Sequence, residues 1–172
     1  PDLTKAVIDE EGWINTGDLG VWTHKGEYAI RGRAKDTIVL SGGENIEPVP
    51  LEARLRESEY IEQAVVVGQD KKYLAALIVP DTKQLEIYVK ENNIPYMARA
   101  EVSDLPEVRE LIQSEINELV SAKNGFKSFE RINRFVIIPT SFKVGQELSA
   151  KQEVMRHKIN ERYAKEIAKL FA

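Results

Sequence analysis

An α+β fold, with helices packed on a sheet, is predicted for this chain by three observations. Apolar, β-branched runs at residues 61–67 and 74–79 are joined by the polar turn Gly68-Gln69-Asp70-Lys71-Lys72 and read as adjacent antiparallel strands. Val108, Leu111, Ile112, Ile116, Leu119 and Val120 recur at helical spacing. Strand-like and helix-like segments alternate from Pro48 onward, an order that lays helices on a sheet.

The elements follow in chain order. Leu19-Gly20-Val21-Trp22-Thr23 and Tyr28-Ala29-Ile30 are short β-prone runs, and the polar His24-Lys25-Gly26-Glu27 between them suits a hairpin. Residues 31–36 are charged and short of bulky apolar groups, as a linker would be. Thr37-Ile38-Val39-Leu40 is a further β-prone run, and the glycines of Ser41-Gly42-Gly43-Glu44-Asn45 permit positive φ in the turn behind it. Pro50 is expected in the first turn of a helix with Leu51 and Leu55 on one face. Asp81, with Gln84 three residues on, offers a cap for a helix through Leu85, Tyr88 and Val89, which Asn92-Asn93-Ile94-Pro95 ends. The helix through Val108 is expected to stop at Asn124-Gly125, and residues 134–138 read as another strand before Pro139. Ser149, with Gln152, is expected to cap a last helix bearing Val154, Ile159, Tyr163, Ile167 and Leu170. Residues 94–106, which include Tyr96 and Met97, look like an irregular insertion between two helices.

Composition narrows the function classes. At 172 residues and 42% hydrophobic content the chain can bury a core, and one compact domain plus a flanking piece is expected. No run approaches the roughly 18 uninterrupted apolar residues of a membrane span, so no transmembrane segment is expected. No leader peptide is visible, and because the chain starts at Pro1 its natural N-terminus is expected to be missing. The absence of cysteine excludes a disulfide framework, a thiolate metal site and a cysteine nucleophile, and fits a cytoplasmic location. With 24 basic and 28 acidic residues interspersed, the net charge of −4 argues against a nucleic-acid surface while leaving room for a local basic pocket. His24 and His157 fall in different predicted elements, so no metal site is expected, and Glu57, Glu59 and Glu62 read as a solvated face.

Three motifs carry chemistry. The run Trp13-Ile14-Asn15-Thr16-Gly17-Asp18-Leu19-Gly20 places Asp18 in a Thr-Gly-Asp turn. An ionised carboxylate is acceptor-only and can take two hydroxyl donors at once, which is the chemistry needed to hold the vicinal hydroxyls of a ribose. Taken alone, Asp18 is better explained by an Asx-type turn, and Arg33 with the motif behind it reverses that weighting. Arg31-Gly32-Arg33-Ala34-Lys35-Asp36 follows, and Ser41-Gly42-Gly43-Glu44-Asn45-Ile46-Glu47-Pro48 comes behind it without any Gly-x-x-x-x-Gly-Lys or Gly-x-Gly-x-x-Gly fingerprint. In this order and spacing the three motifs resemble the end of the adenylate-forming acyl-CoA synthetases of the AMP-binding superfamily. The wording of the third is most similar to the long-chain fatty acid–CoA ligases.

That resemblance implies a division at the hinge. Residues 1–34 would be the end of a large N-terminal adenylation domain, and residues 35–172 a small mobile C-terminal domain. Asp18 and Arg33 match the residues that contact the nucleotide ribose. Lys35 matches the hinge, about which the small domain rotates between adenylate formation and transfer to CoA. Gly42 and Gly43 match a loop that lines the pantetheine tunnel, while Glu47 and Pro48 are read as support for the turn into the next helix. Cofactors implied are ATP, CoA and magnesium, the last bound to the triphosphate through the large domain. Partners implied are a fatty acid and the chain's own adenylation domain. The location implied is cytoplasmic, with peripheral membrane attachment as an option.

The last segment departs from the family. Aligned on Glu147-Leu148 and Arg156, the position of the lysine that usually bridges carboxylate and phosphate oxygens holds Glu153. A carboxylate cannot donate to developing phosphoryl charge, and loss of one preorganised donor costs roughly 100- to 1,000-fold in rate. Lys151, expected near a helix N-terminus, is the candidate substitute, with Lys158 a poorer one. Two alternatives stay open beside a CoA ligase: transfer of the acyl-adenylate to a carrier-protein pantetheine, and a non-catalytic homologue that keeps acyl or nucleotide affinity.

Overall fold

The computed structural model describes residues 2–172, and its architecture is α+β. Helix α1 (Asp2–Val7) leads into an antiparallel hairpin of β1 (Asp18–Trp22) and β2 (Tyr28–Arg33). Thr23 closes that hairpin, its N–H donating to the Glu27 carbonyl at 2.8 Å and its Oγ1 accepting from Glu27 N–H at 3.2 Å, and Trp22 and Tyr28 meet edge to face with ring centroids 4.6 Å apart. Strand β2 runs through Arg33, so part of the segment expected to be linker is ladder instead. Gly32 and the absence of bulky apolar side chains in Arg31-Gly32-Arg33 hid it.

Two short strands, β3 (Ile38–Val39) and β4 (Asn45–Ile46), pair across the glycine turn. Helix α2 (Pro48–Leu55) then starts at Pro48, which puts Pro50 in the first turn, where a missing N–H forfeits no intrahelical bond. Strands β5 (Ile61–Val67) and β6 (Leu74–Pro80) form the expected antiparallel pair. Helix α3 (Thr82–Glu91) is capped as expected, the Asp81 carboxylate accepting from the N–H groups of Lys83 and Gln84 at 3.0 and 3.2 Å. Helix α4 (Pro106–Leu119) ends before Asn124-Gly125; a short 3-10 turn, Ala122–Asn124, separates them, and Gly125 adopts φ +85° behind it. Strand β7 (Ile132–Ile137) lies parallel to β6, which the long crossover through α3 and α4 makes possible.

The final helix differs from expectation. It begins at Arg156, and Tyr163 divides it into α5 (Arg156–Arg162) and α6 (Ala164–Leu170). Ser149 and Gln152 therefore cap no helix. Ser149 and Glu153 instead close a tight loop, Ser149 N–H donating to the Glu153 carbonyl at 2.8 Å and Ser149 Oγ accepting from Glu153 N–H at 3.2 Å. Serine serves either use, since its hydroxyl can satisfy a turn as readily as a helix start.

Three layers result. The order β5-β6-β7 puts β6 at the centre with all seven of its residues buried. On one face, Ala64, Val66, Ala76 and Ile78 pack against α2, α3 and α4 through Leu51, Leu85 and Ile112. On the other, Val65, Val67, Leu77 and Val79 pack against α5, α6 and the segment before them through Leu148, Ile159 and Leu170. Residues 94–106, expected to be irregular, hold a 3-10 helix, Arg99–Asp104, whose Val102 is fully buried, while Met97 stands 96% exposed. Leu77→Ala is expected to destabilise the fold by about 2–5 kcal/mol in urea denaturation, as cavity formation at a site without solvent access requires. A loss under roughly 1 kcal/mol would show that the second face is not packed.

Candidate active site

The Thr-Gly-Asp turn is fixed by its own side chains. Gly17, at φ +73°, donates to Asn15 Oδ1 at 3.0 Å, and Asp18 N–H donates to Thr16 Oγ1 at 3.2 Å. Asp18 then opens β1 directly opposite Arg33 at the end of β2. The guanidinium Nε lies 3.4 Å from Asp18 Oδ1, and both side chains are partly open to solvent. An exposed pair of this kind contributes only about 0–1 kcal/mol to stability, so its significance is chemical: an acceptor and a donor set stand side by side, with capacity left for the hydroxyls of a ligand.

Arg33 looks into a cleft of about 1020 Å³ whose walls also include Lys35, Glu153, Arg156 and His157. Residues from both ends of the chain thus share one opening. His24 and His157 are both exposed, as are Glu57, Glu59 and Glu62. Lys35 sits exposed in a 3-10 turn, Ala34–Asp36. Ala34 N–H is bonded to the Gly17 carbonyl at 2.9 Å on one side; on the other, Thr37 Oγ1 donates to Glu47 Oε1 at 2.7 Å and Val39 N–H to Gln69 Oε1 at 3.0 Å. The change from one set of anchors to the next falls at Lys35 and Asp36.

Gly42 and Gly43 lie apart from this cleft's lining. Their loop is held by Gly43 N–H to the Leu40 carbonyl at 2.8 Å and Ser41 N–H to the Lys71 carbonyl at 2.9 Å, and Gly43 adopts φ +90°, which favours glycine. Lys151 is exposed in the Ser149–Glu153 loop, five residues before α5, so its expected place at a helix N-terminus is corrected. Gln152 beside it has φ +63°. Ser149, Gln152 and Glu153 line the cleft and Lys151 does not, so its ammonium would have to reach in from the rim. Among the described residues no group of three His, Asp or Glu gathers to hold a metal ion.

Two buried carboxylates that local sequence patterns did not single out secure this loop. Glu52 of α2 takes the Arg156 Nη2 on both oxygens at 2.8 Å and Val66 N–H at 2.8 Å, and Arg156 Nη1 donates to the Val66 carbonyl at 3.2 Å. The partners are 104 residues apart, so no local pattern announces them. Burial pushes the Glu52 carboxyl above its ordinary value, while Arg156 and the Val66 N–H pull it back. Glu147, 2% exposed, accepts from Lys143 N–H at 3.0 Å and pairs with Arg162 at 2.5 Å. Burial and then the Glu147 charge push the Tyr163 hydroxyl upward beside it.

The family model of the AMP-binding enzyme C-terminal domain matches residues 35–172. The chain belongs to that family. The long-chain-fatty-acid–CoA ligase FadD15 of Mycobacterium tuberculosis is 37% identical over 98% of this chain and 28% of its own length. The chloroplastic long-chain-fatty-acid–[acyl-carrier-protein] ligase AEE15 of Arabidopsis thaliana is 45% identical over 50% of this chain and 13% of its own. Among solved structures, the A domain of a carboxylic acid reductase from Segniliparus rugosus, in complex with AMP and a co-purified carboxylic acid, superimposes with TM-score 0.82 at 26% identity, covering 99% of this chain and 25% of that one. The chain therefore spans about a quarter of the length of such relatives.

In this AMP-binding C-terminal domain the Glu52–Arg156 pair yields a sharp expectation. Glu52→Leu or Arg156→Met alone should each cost about 3–5 kcal/mol by leaving a buried charge unpaired, whereas the double variant should come close to wild type. The pH sign also follows. Because the folded-state value of Glu52 is raised, its contribution is fully present below 4.5 and is lost as pH rises through the folded value. Removing Arg156 raises that value further and widens the window. Urea denaturation of Arg156→Met from acid to neutral pH should show a steeper loss of stability than wild type, and equal slopes would refute the assignment.

Proposed function

We propose that the chain is the closing part of a fatty acid–CoA ligase that makes acyl-AMP and pyrophosphate from a fatty acid and ATP, then passes the acyl group to CoA and releases AMP. Residues 1–34 are the end of the large adenylation domain, and residues 35–172 are its rotating lid. The observation that carries this reading is the shared cleft: Arg33, ion-paired to Asp18, faces the Glu153-bearing loop across the Lys35 boundary. The long-chain ligase FadD15 supports the substrate class.

The roles follow from chemistry. Asp18 accepts the two ribose hydroxyls, and Arg33 holds the carboxylate in place and donates to the nucleotide. ATP fits this donor and acceptor set, and magnesium would arrive on the triphosphate. Lys35 is the pivot, its ammonium solvated in either orientation. Gly42 and Gly43 give the thiol arm of CoA passage where side chains would obstruct it. Lys151 supplies positive charge to the phosphoryl oxygens from the loop that Glu52, Arg156 and Glu147 hold in place. Closure of the lid keeps water from the acyl-adenylate. Glu153 near that charge weakens it.

The test is fatty-acid-dependent ATP–pyrophosphate exchange in the full-length parent. Lys151→Ala should lower exchange roughly 100-fold or more, and Glu153→Lys should raise it. Exchange unchanged in Lys151→Ala removes that lysine from the site while leaving the ligase. Absent exchange in a folded, ATP-binding wild type favours the non-catalytic homologue to which Glu153 points. The likeness to the acyl-carrier-protein ligase AEE15 favours a carrier-protein acceptor as the second reading, and competition between CoA and a holo carrier protein separates the two. The 172-residue chain alone, given fatty acid, ATP and CoA, should form no acyl-CoA.

A further inference from the structure

Gly32 and Glu47 stand on opposite sides of the Lys35 boundary and touch. A Cβ at Gly32 would lie 2.7 Å from Glu47 Oε2. The Gly32 backbone is outside the left-handed region, so its own conformation does not require glycine; the neighbouring carboxylate does. A glutamate tip ordinarily swings aside, but this one is tethered. Its Oε1 accepts from Thr37 Oγ1 at 2.7 Å, and its Oε2 is buried without a hydrogen-bond partner, a costly place for a carboxylate oxygen.

Thr37 and Glu47 both lie after Lys35, so their hydrogen bond is internal to the 35–172 domain and survives a rotation about Lys35. The Gly32 contact joins the two parts and does not survive it. Val49, two residues beyond Glu47, lines the same cleft as Gly32, Arg33 and Glu153, so the contact belongs to the orientation in which the Ser149–Glu153 loop faces the Asp18–Arg33 pair.

We infer that Gly32 and Glu47 are positioning residues that select this orientation: the bare Gly32 backbone is the seat on which the tethered Glu47 carboxylate rests while the adenylate forms. Rotation lifts Glu47 off the seat and returns Oε2 to water. The unpartnered oxygen tempers the preference, so that neither orientation is locked and a ligand with modest differential affinity can move the balance. The assignment of this orientation to adenylate formation rests on the ligase reading above.

The test is a cycle of Gly32→Ala, Glu47→Ala and the double variant in the full-length protein, with two readouts. One is the rate of tryptic cleavage after Lys35, followed by mass spectrometry, which needs no activity. The other sets pyrophosphate exchange against acyl transfer to CoA from supplied acyl-adenylate. Gly32→Ala is expected to speed cleavage and slow exchange about tenfold each, leaving transfer at the wild-type level, and to do neither in the Glu47→Ala background. If Glu47→Ala does not fold, Thr37→Val releases the tether and takes its place. Unchanged cleavage, equal effects in both backgrounds, or exchange and transfer falling together would overturn the inference. If the cleavage cycle behaves as expected while wild type exchanges no pyrophosphate, the contact stands and the ligase reading falls.

Discussion

Strand β6 alternates its side chains between the two faces of the sheet and meets water on neither. That double burial organises the domain. Because β5 and β7 flank β6, the sheet offers two apolar faces, and each must be covered to avoid exposing Val, Ile and Leu. Helices α2, α3 and α4 take one face, and α5 and α6, coming from the far end of the chain, take the other. The C-terminal segment is therefore drawn back against the centre of the domain, and with it the Ser149–Glu153 loop.

Apolar contact alone leaves such a segment free to slide, and the buried carboxylates add direction. Glu52 receives Arg156 in a bidentate pair and binds the β5 backbone at Val66, so α2, β5 and the start of α5 meet at one point. Glu147 does the same for the approach to the loop, through Lys143 N–H and Arg162. Charges this deeply placed contribute little net stability compared with apolar replacements, but each fixes a register that packing would leave open. The loop that carries Lys151 and Glu153 is thus bracketed by two such pairs. Its interior is held by Ser149, which bonds Glu153 through N–H and Oγ, Lys151 N–H through Oγ and Gln152 N–H through its carbonyl.

The boundary at Lys35 has the opposite character. Anchors on either side are firm, yet between Ala34 and Thr37 only a single 3-10 turn intervenes, with exposed Lys35 at its centre. The hairpin before it leaves Trp22, Tyr28 and Ile30 largely exposed, in contrast with the closed core after it. In the proposed rotation about Lys35, the close approach of Gly32 to Glu47 crosses the joint.

The sequence by itself determined the elements whose signals are local: the hairpin read at residues 19–30, the β5–β6 pair with its polar turn, and the Asp81 cap of α3. It did not place Asp18 opposite Arg33, because residues 31–33 read as linker and the ladder there, with its register shift between Leu19 and Gly20, carries no local signal. It misplaced the last helix, because Ser149 fits a tight loop and a helix start equally well and only packing against the sheet chooses between them. It read the strand at residues 134–138 but gave no hint that β7 pairs parallel with β6, nor of Glu52 with Arg156, or of Gly32 beneath Glu47. Each of these joins residues distant in the chain, and no local periodicity encodes such a meeting. Tertiary structure decided them, because burial of β6 on both faces dictates which distant segments must come together.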